Sequence, residues 1–557
     1  MTTPEDFSNR QIDPSVSRRG FLRGASALVA GAAGSLACAR PSARAHGSGQ
    51  ENTSRFDVVV IGGTPGGIAA AIAAARMGRS VALVEYHKHF GGMSTSGLGK
   101  SDVTQREMIR GLFAEFIERV RKHYEEKYGL NSENYKLCRD GYYFEPSVAE
   151  SIFLQMLAEQ KTISLFPYHR LVGAITEKGR VVGVRVADRS NNQERELPGR
   201  VFIDATYEGD LYASAGAGFR FGRESRDEFK EPHAGHIYFD SRTKTFLPGG
   251  TGEGDQRLTA YTYRLCLSDD PDNAHRLNAP PPGYDRTRYL GYIGDARSGR
   301  FGENAITARV AFTIAPIPNH KTDVNMKPAG LGFTFAEENE GYIEADWAGR
   351  ERICERIRNI TLGLLWFVQN DEELPAEHRE HAMQYHLARD EFADNGHFPF
   401  QLYVREARRL IGEYTLKELD VTGGPSGNGA RFEDAIAVGE FPIDSFPVRK
   451  KQPGDSVVLE GYLGMLHNIT RPYQIPYRIM IPEKIDGLIV PVAASTTHVA
   501  FSSIRLEPTW MVLGQAAGIA AHLAIARSVE PRRVPITELQ SILREQKQVL
   551  EPPAKAV

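Results

Sequence analysis

Two stretches of the chain repeat one pattern. A short, wholly apolar run is followed by a polar or glycine-rich turn, then by a helix whose residues are mostly small. The first stretch, residues 56–92, reads FDVVVIGGTPGGIAAAIAAARMGRSVALVEYHKHFGG. Its β-branched run 58–61 predicts a buried strand, and 81–84 a second one ending at Glu85. Between them Ala69, Ala70, Ala71, Ala73, Ala74 and Ala75 predict a helix thin enough to lie close on a sheet, with Gly78 at its carboxyl end. The second stretch begins with LIVPVA (488–493), predicted as a buried strand. It continues through Ser495-Thr496-Thr497-His498 and Ser502-Ser503-Ile504-Arg505-Leu506-Glu507-Pro508 into TWMVLGQAAGIAAHLAIARS, a helix thinned by Gly514, Ala516, Ala517, Gly518, Ala520 and Ala521.

Between these stretches, 110–127 reads as a mixed-charge amphipathic helix. A second helix runs from Pro146 to about 160, with Val148, Ile152, Phe153, Met156 and Leu157 facing a core. Residues 163–203 alternate as short strands and predict a meander that ends in Asp204-Ala205-Thr206-Tyr207-Glu208-Gly209-Asp210-Leu211. From 222 to 399 proline and glycine become frequent and aromatics interleave with charge, which predicts an insertion shaping a substrate face, with a helix over 348–370. Residues 400–414 read as helix or strand and are dense in arginine, and 471–478 as proline-punctuated extended chain. The fold class is therefore α/β: a Rossmann-like domain with a βαβ core and β-meander, plus an inserted α+β substrate or cap region. The boundaries read as leader 1–46, nucleotide domain 56–221, insertion 222–399, nucleotide domain resumed 400–530, and a carboxyl-terminal helix and tail 531–557.

Composition narrows the class only a little. With 557 residues, 41% hydrophobic and 25% charged, the chain is an ordinary globular one large enough for more than one structural unit. A net charge of −3 points to no nucleic-acid partner. Cys38, Cys138, Cys266 and Cys354 match no zinc spacing, and with Cys38 in the leader the rest read as free buried thiols, one disulfide staying open in an oxidising compartment. No metal site is predicted. The leader carries Ser17-Arg18-Arg19-Gly20-Phe21-Leu22-Arg23, the form of a twin-arginine export signal, then a short Gly/Ala-rich run and a cleavage motif at Ala43-Arg44-Ala45. This predicts export by the twin-arginine machinery to the periplasm or beyond, with lipidation at Cys38 the lesser alternative. No other run reads as apolar and long enough to cross a membrane.

The chemistry begins at the turn Gly62-Gly63-Thr64-Pro65-Gly66-Gly67. A helix amino terminus offers unpaired amides and a partial positive charge, which suits a pyrophosphate. Gly62 permits the tight turn, Gly67 close packing, and Pro65 fits the first helical turn. Glu85 stands where a carboxylate accepts hydrogen bonds from an adenosine ribose. Thr64 departs from the generic fingerprint, which has glycine there. The loop 87–99, with Gly91, Gly92 and Met93, predicts backbone wrapped against a ligand. Tyr261, Tyr263, Arg264, Lys321, Asp323 and Asn325 in the insertion are candidate substrate contacts that singly read better as structural. Arg405, Arg408 and Arg409 are candidates for anion contacts or for salt bridges to Glu406 and Glu413.

Taken together, GGTPGGIAAAIAAARMG, FGGM, FEPSVAE, DATYEGDL, QLYVREARRLIGEY, PYQIPYR and HVAFSSIRLEPTWMVLGQAAG resemble the FAD-dependent oxidoreductases of the two-dinucleotide-binding, glutathione-reductase-like superfamily, in a bacterial and often exported branch. That branch often carries Thr-Pro in the glycine turn, and usually Asp-Ser-His where this chain has Asp444-Ser445-Phe446. The resemblance implies FAD, with Gly62 to Gly67 at the pyrophosphate, Glu85 at the ribose, Gly91–Met93 against the cofactor, the Val172 backbone near the adenine and Asp204 near the ribityl–pyrophosphate region. It also places the helix from Glu507 and Pro508 through Gly514 at the pyrimidine end of the flavin. A helix amino terminus there stabilises developing negative charge. His498 is the candidate general base, or else a histidine that only hydrogen-bonds the cofactor. Arg505, with Glu507 as its partner, would neutralise flavin or an anionic substrate group; Arg405 and Tyr477 are candidate substrate contacts. The implied activity is hydride transfer from a small, hydroxyl-bearing or sugar-derived molecule, with oxygen, a quinone or a redox protein as acceptor. The alternatives are a carbohydrate lyase or hydrolase in which FAD is structural, and a non-catalytic flavin-binding module. Covalent attachment through His87 or His89 stays open.

Overall fold

The computed structural model describes residues 55–298, 307–327, 330–423 and 430–552. The leader 1–46, with its twin arginines and Cys38, lies outside the described residues. Strand β1 (Phe56–Ile61), helix α1 (Pro65–Arg76) and strand β2 (Val81–Val84) form the βαβ unit, with β1 and β2 parallel from Val58↔Val81 to Ile61↔Val84. Helix α1 starts where it does because Thr64 caps it. Thr64 is extended, its Oγ1 accepts from the Gly67 amide at 3.2 Å, and the same hydroxyl donates to the Ala205 carbonyl at 2.9 Å. A glycine at this position would do neither. Thr64 thus caps the helix and ties the turn to the neighbouring strand end.

After helices α2 (Leu112–Tyr128) and α3 (Pro146–Ala158) come β3 (Ile163–Phe166), β4 (His169–Glu177), β5 (Arg180–Asp188) and β6 (Glu194–Asp204). The seven-stranded sheet runs β3-β2-β1-β6-β5-β4, with a short strand β7 (Leu488–Ile489) also on β6. Strand β6 belongs to two arrangements. Its first half pairs antiparallel with β5 from Gly183↔Pro198 to Ala187↔Glu194 and completes the meander. Its second half is parallel to β1, through Ile61↔Asp204, and to β7 on the other side. The predicted strand 488–493 is therefore only two residues of ladder; Val490 leaves the sheet to donate to the Met480 carbonyl.

The insertion builds a five-stranded antiparallel sheet in the order Ala274–His275, His386–Ala388, Leu265–Ser268, Lys321–Met326, Phe312–Ile317. It also carries helix α4 (Trp347–Asn370), capped by the Asp346 side chain. Lys321, a candidate substrate contact by sequence, is buried at the centre of Glu145, Asp390 and Glu391 at 2.7–2.8 Å. Its ammonium occupies the place a cation would take among those carboxylates. Asp323 is spent on Arg264 at 2.7 Å. Residues 400–414 form neither a helix nor a long strand: Arg409–Leu410 pairs with Phe219–Arg220, and Tyr403 and Gly412 make single bridges to Thr262 and Pro482. The arginines there are buried by tertiary partners, which local propensity does not see. Cys138 and Cys266 are buried free thiols and Cys354 a half-buried one.

Helix α5 (His498–Ile504) leads through Arg505 and Leu506 into α6 (Glu507–Arg527). Helix α6 is long and apolar enough to cross a membrane by length and composition, contrary to the sequence expectation, yet it is buried inside the protein almost throughout. It packs on α1 backbone to backbone. A Cβ on Gly514 would strike the Gly66 carbonyl, and one on Gly518 the Ala70 carbonyl and Ala73. Gly514, expected at the cofactor, is instead the point where the two helices touch. Gly514→Val is expected to destabilise the fold by on the order of 3 kcal/mol in denaturant unfolding and to lower cofactor content, because α1 must move away. Unchanged stability would show that the contact is not tight.

Candidate active site

A cavity of about 480 Å³ opens outside the carboxyl ends of β1 and β2, lined by Ile61, Gly62, Thr64, Val84 and Glu85. This is where an open parallel sheet holds its ligand. Its opposite wall comes from the insertion. Tyr86 stacks on Trp347 at 4.6 Å and 15°, and Arg189 lies over the other side of Tyr86 at 3.7 Å. Tyr86 donates to Glu351 at 2.8 Å, Trp347 Nε1 to the Leu171 carbonyl at 3.0 Å, and Arg350 grips Asp210 at 2.6 and 2.8 Å. Helix α4 is thereby fastened across one side of the cavity. Leu171 lines the cavity, whereas the half-buried Val172 does not. The Val172 expectation is corrected by one residue, and the adjacent carbonyl is already taken by Trp347.

Within the cavity Glu85 Oε2 accepts from the Gly63 amide at 2.6 Å and Oε1 from the His87 amide at 2.8 Å. Burial outweighs those bonds and pushes its carboxyl up to about 7. Gly62 and Thr64 face the cavity; Gly66 and Gly67 do not line it. A Cβ on Gly66 would meet Val492 and Trp510, and one on Gly67 would meet Gly62 and Ala205. Gly91 and Met93 wrap against protein rather than open space. The Gly91 amide donates to the Gly63 carbonyl at 2.7 Å and the Met93 amide to the Tyr207 hydroxyl at 3.0 Å, while Gly92 is held free of a side chain by Tyr207 and Pro65. Asp204 is fully buried and accepts from Thr206 and from the Tyr212 amide, so it shapes the loop that brings Thr206, Tyr207 and Glu208 to the cavity. Of the two histidines after Glu85, His89 is clasped between Glu150 and Asp394 at 2.8 and 3.0 Å.

The amino terminus of α6 meets this loop at Glu507. Tyr207 donates to Glu507 Oε1 at 2.7 Å, which links the GGM turn, the loop after β6 and α6. Arg505 does not pair with Glu507. It donates to the Tyr403 hydroxyl at 3.0 Å and the Asp444 carbonyl at 2.7 Å, with the Asp444 carboxylate at 3.7 Å. The two-residue step from Arg505 to Glu507 crosses the helix start, so the two side chains leave in different directions.

His498 is buried, its Nδ1 2.7 Å from Glu406 Oε2 and its Nε2 3.3 Å from Ser445 Oγ. Burial raises the Glu406 carboxyl, but the His498 imidazole and Arg409 guanidinium outweigh it and hold the group below its ordinary value. Arg409 is closed by Glu224 and Glu406 at 3.1 and 2.9 Å. Arg405 is 1% exposed and lies between the rings of Phe446 at 3.7 Å and Tyr403 at 4.2 Å. Tyr477 is brought to neither site: it is buried and donates to the Pro531 carbonyl at 3.0 Å. Sequence reasoning missed Tyr86, Arg189, Trp347, Glu406, Ser445 and Tyr207. Tyr207, inside the DATY motif, Glu406, beside Arg405, and Ser445, within Asp444-Ser445-Phe446, carried a signal; Tyr86, Arg189 and Trp347 carried none.

These residues fit FAD. Gly62, Thr64 and Glu85 line the cavity, and Gly62 admits no Cβ against Ala205. At the α6 terminus the buried Glu507 Oε2 and Trp510 Nε1 have no hydrogen-bond partner among the described residues. Burial pushes the Glu507 carboxyl up to about 8, so it is neutral at pH 7 and has a proton to donate. The folded form therefore keeps a proton that the unfolded chain releases above its ordinary value of 4.5. Stability without cofactor is greatest below that value and falls as pH rises toward 8, by about 1.4 kcal/mol per pH unit for each retained proton. Thermal melts of cofactor-free protein from pH 5 to 8 should show this fall, and Glu507→Gln should flatten it; an equal slope in the variant would refute the neutral carboxyl.

The sequence matches the FAD dependent oxidoreductase family over residues 57–543. Similar solved structures include a geranylgeranyl bacteriochlorophyll reductase-like protein from Thermoplasma acidophilum, 13% identical over 88% of this chain and 84% of that one, with a TM-score of 0.36. A second is the myxobacterial chondrochloren halogenase, a variant of FAD-dependent halogenases, 15% identical over 88% and 80%, with a TM-score of 0.35. The glycerol-3-phosphate dehydrogenase from Bacillus halodurans complexed with FAD is 17% identical over 38% of this chain and 51% of that one, with a TM-score of 0.22. Because the family match spans nearly all of the chain after the leader, the protein belongs to the FAD dependent oxidoreductases, and its cofactor is FAD.

Proposed function

We propose that the protein is an exported dehydrogenase or oxidase acting on a small, hydroxyl-bearing molecule, with His498 as its base. The observation that carries this reading is the orientation of His498. Glu406 holds Nδ1 at 2.7 Å, which leaves Nε2 as the nitrogen available to take a proton, with Ser445 Oγ at 3.3 Å beside it. A carboxylate on one ring nitrogen fixes the tautomer and the orientation of the ring. When bound, FAD supplies the two-electron acceptor for a hydride leaving a substrate carbon. The hydroxyl proton goes to His498 Nε2, and the substrate becomes a carbonyl compound.

The chain's other residues serve binding and exclusion. Gly62, Thr64 and the α1 amino terminus suit the pyrophosphate, and Glu85 the ribose. The Arg189–Tyr86–Trp347 stack shuts water out at the adenosine end. The α6 terminus, with neutral Glu507, favours negative charge at the redox end. Oxygen, a quinone or a redox protein accepts the electrons in turn. The twin arginines support export after folding with cofactor, to the periplasm or outside the cell.

His498→Gln should slow anaerobic cofactor bleaching by substrate about 10²–10⁴-fold while FAD content stays near normal. Loss of FAD as the main effect would make His498 a structural residue. For export, Arg18→Lys with Arg19→Lys should leave full-length precursor in the cytoplasmic fraction; unchanged processing would end the twin-arginine reading.

A further inference from the structure

We propose that Arg405 is the docking group for a carboxylate on the substrate, so that the enzyme acts on hydroxy acids rather than neutral alcohols. This rests on the reading of His498 as the reaction site.

Other buried arginines of the described structure are closed by carboxylates. Arg223 has Asp255 and Glu460, Arg264 has Asp323, Arg350 has Asp210, and Arg409 has Glu224 and Glu406. Arg405 differs. It donates only to the Ala260 carbonyl at 2.9 Å and the Asn325 amide oxygen at 3.3 Å, and its Nε has no hydrogen-bond partner among the described residues. No carboxylate forms an ion pair with it among those residues. Leaving a guanidinium in the interior without an anion costs more than flanking rings return. The two rings do something else: they fix the guanidinium plane, which suits the fork geometry of a carboxylate.

Position supports the same conclusion. Arg405 and Glu406 are consecutive, as are Ser445 and Phe446. Phe446 covers Arg405, while Glu406 and Ser445 hold the two nitrogens of His498. Two short segments therefore carry both the base and the unpaired cation. A molecule with a hydroxyl at His498 and a carboxylate at Arg405 satisfies both. Burial, together with Arg505 and Arg264 nearby, pushes the Arg405 guanidinium down to about 9, so it is still cationic at pH 7 and gains from an arriving anion.

The test uses FAD-loaded enzyme under anaerobic conditions. Oxalate, and its neutral counterpart oxamide, are titrated while the flavin absorbance is followed. Lactate, glycerate and gluconate are then compared with propane-1,2-diol, glycerol and glucose as reductants. Oxalate should perturb the spectrum and oxamide should not; Arg405→Gln should weaken oxalate about 100-fold with FAD content and melting temperature retained. Arg405→Lys, which keeps the charge and loses the fork, should weaken it less, and carries the test if the glutamine variant does not fold. Equal affinity for oxalate and oxamide would overturn the proposal, as would oxalate affinity unchanged in both variants or a variant that shifts only the flavin midpoint potential. Arg405-dependent oxalate binding without bleaching by any acid would uphold the anion site while sinking the oxidation reading.

Discussion

The contact between α1 and α6 is what the rest of the nucleotide domain depends on. Both helices are stripped to glycine and alanine where they meet, so their backbones come close enough that a single added Cβ would collide with a carbonyl. That closeness brings two helix amino termini to one end of the sheet. One faces the cavity through Gly62 and Thr64; the other begins at Glu507, beside the loop that ends β6. Two partial positive charges thereby lie near one end of the sheet, an arrangement suited to a long molecule with phosphates at its middle and electron-accepting character at one end.

The insertion makes the site closed rather than merely open. Helix α4 is held over the cavity by a tryptophan hydrogen bond, a tyrosine–carboxylate bond and a bidentate arginine, none of which depends on a ligand. Its five-stranded sheet is anchored by Lys321 among three carboxylates. The insertion also supplies Ala260 and Asn325, the two polar contacts of Arg405. One inserted region thus walls the cavity and meets Arg405, which explains why its sequence is irregular: most of its residues answer to partners far away in the chain.

Much of the cofactor half was legible in sequence because it is encoded locally. Strand, turn, thin helix and terminal acid succeed one another within about thirty residues, the length of a βαβ unit, and each step has its own physical signature. Even Thr64, anomalous against the generic fingerprint, has a local explanation as a helix cap. The individual contacts were less legible. Gly514 and Gly91 read as cofactor contacts because glycine signals close approach, but glycine does not say what approaches. In this fold it is other backbone. Asp204 read as a ligand contact because it ends a strand; both its oxygens turn out to serve the following loop.

By itself the sequence determined the fold class and the dinucleotide-binding βαβ unit, and it singled out His498 and the arginines Arg405, Arg408 and Arg409 as candidates. Tertiary structure alone decided which of the clustered arginines is left without a carboxylate, which nitrogen of His498 meets Glu406 and which meets Ser445, and which helix walls the cavity. The physical reason is range. Caps, turns and small-residue helices are set by neighbours three or four positions away, whereas the state of a buried charge depends on side chains dozens to hundreds of positions distant, and only the folded chain brings those together.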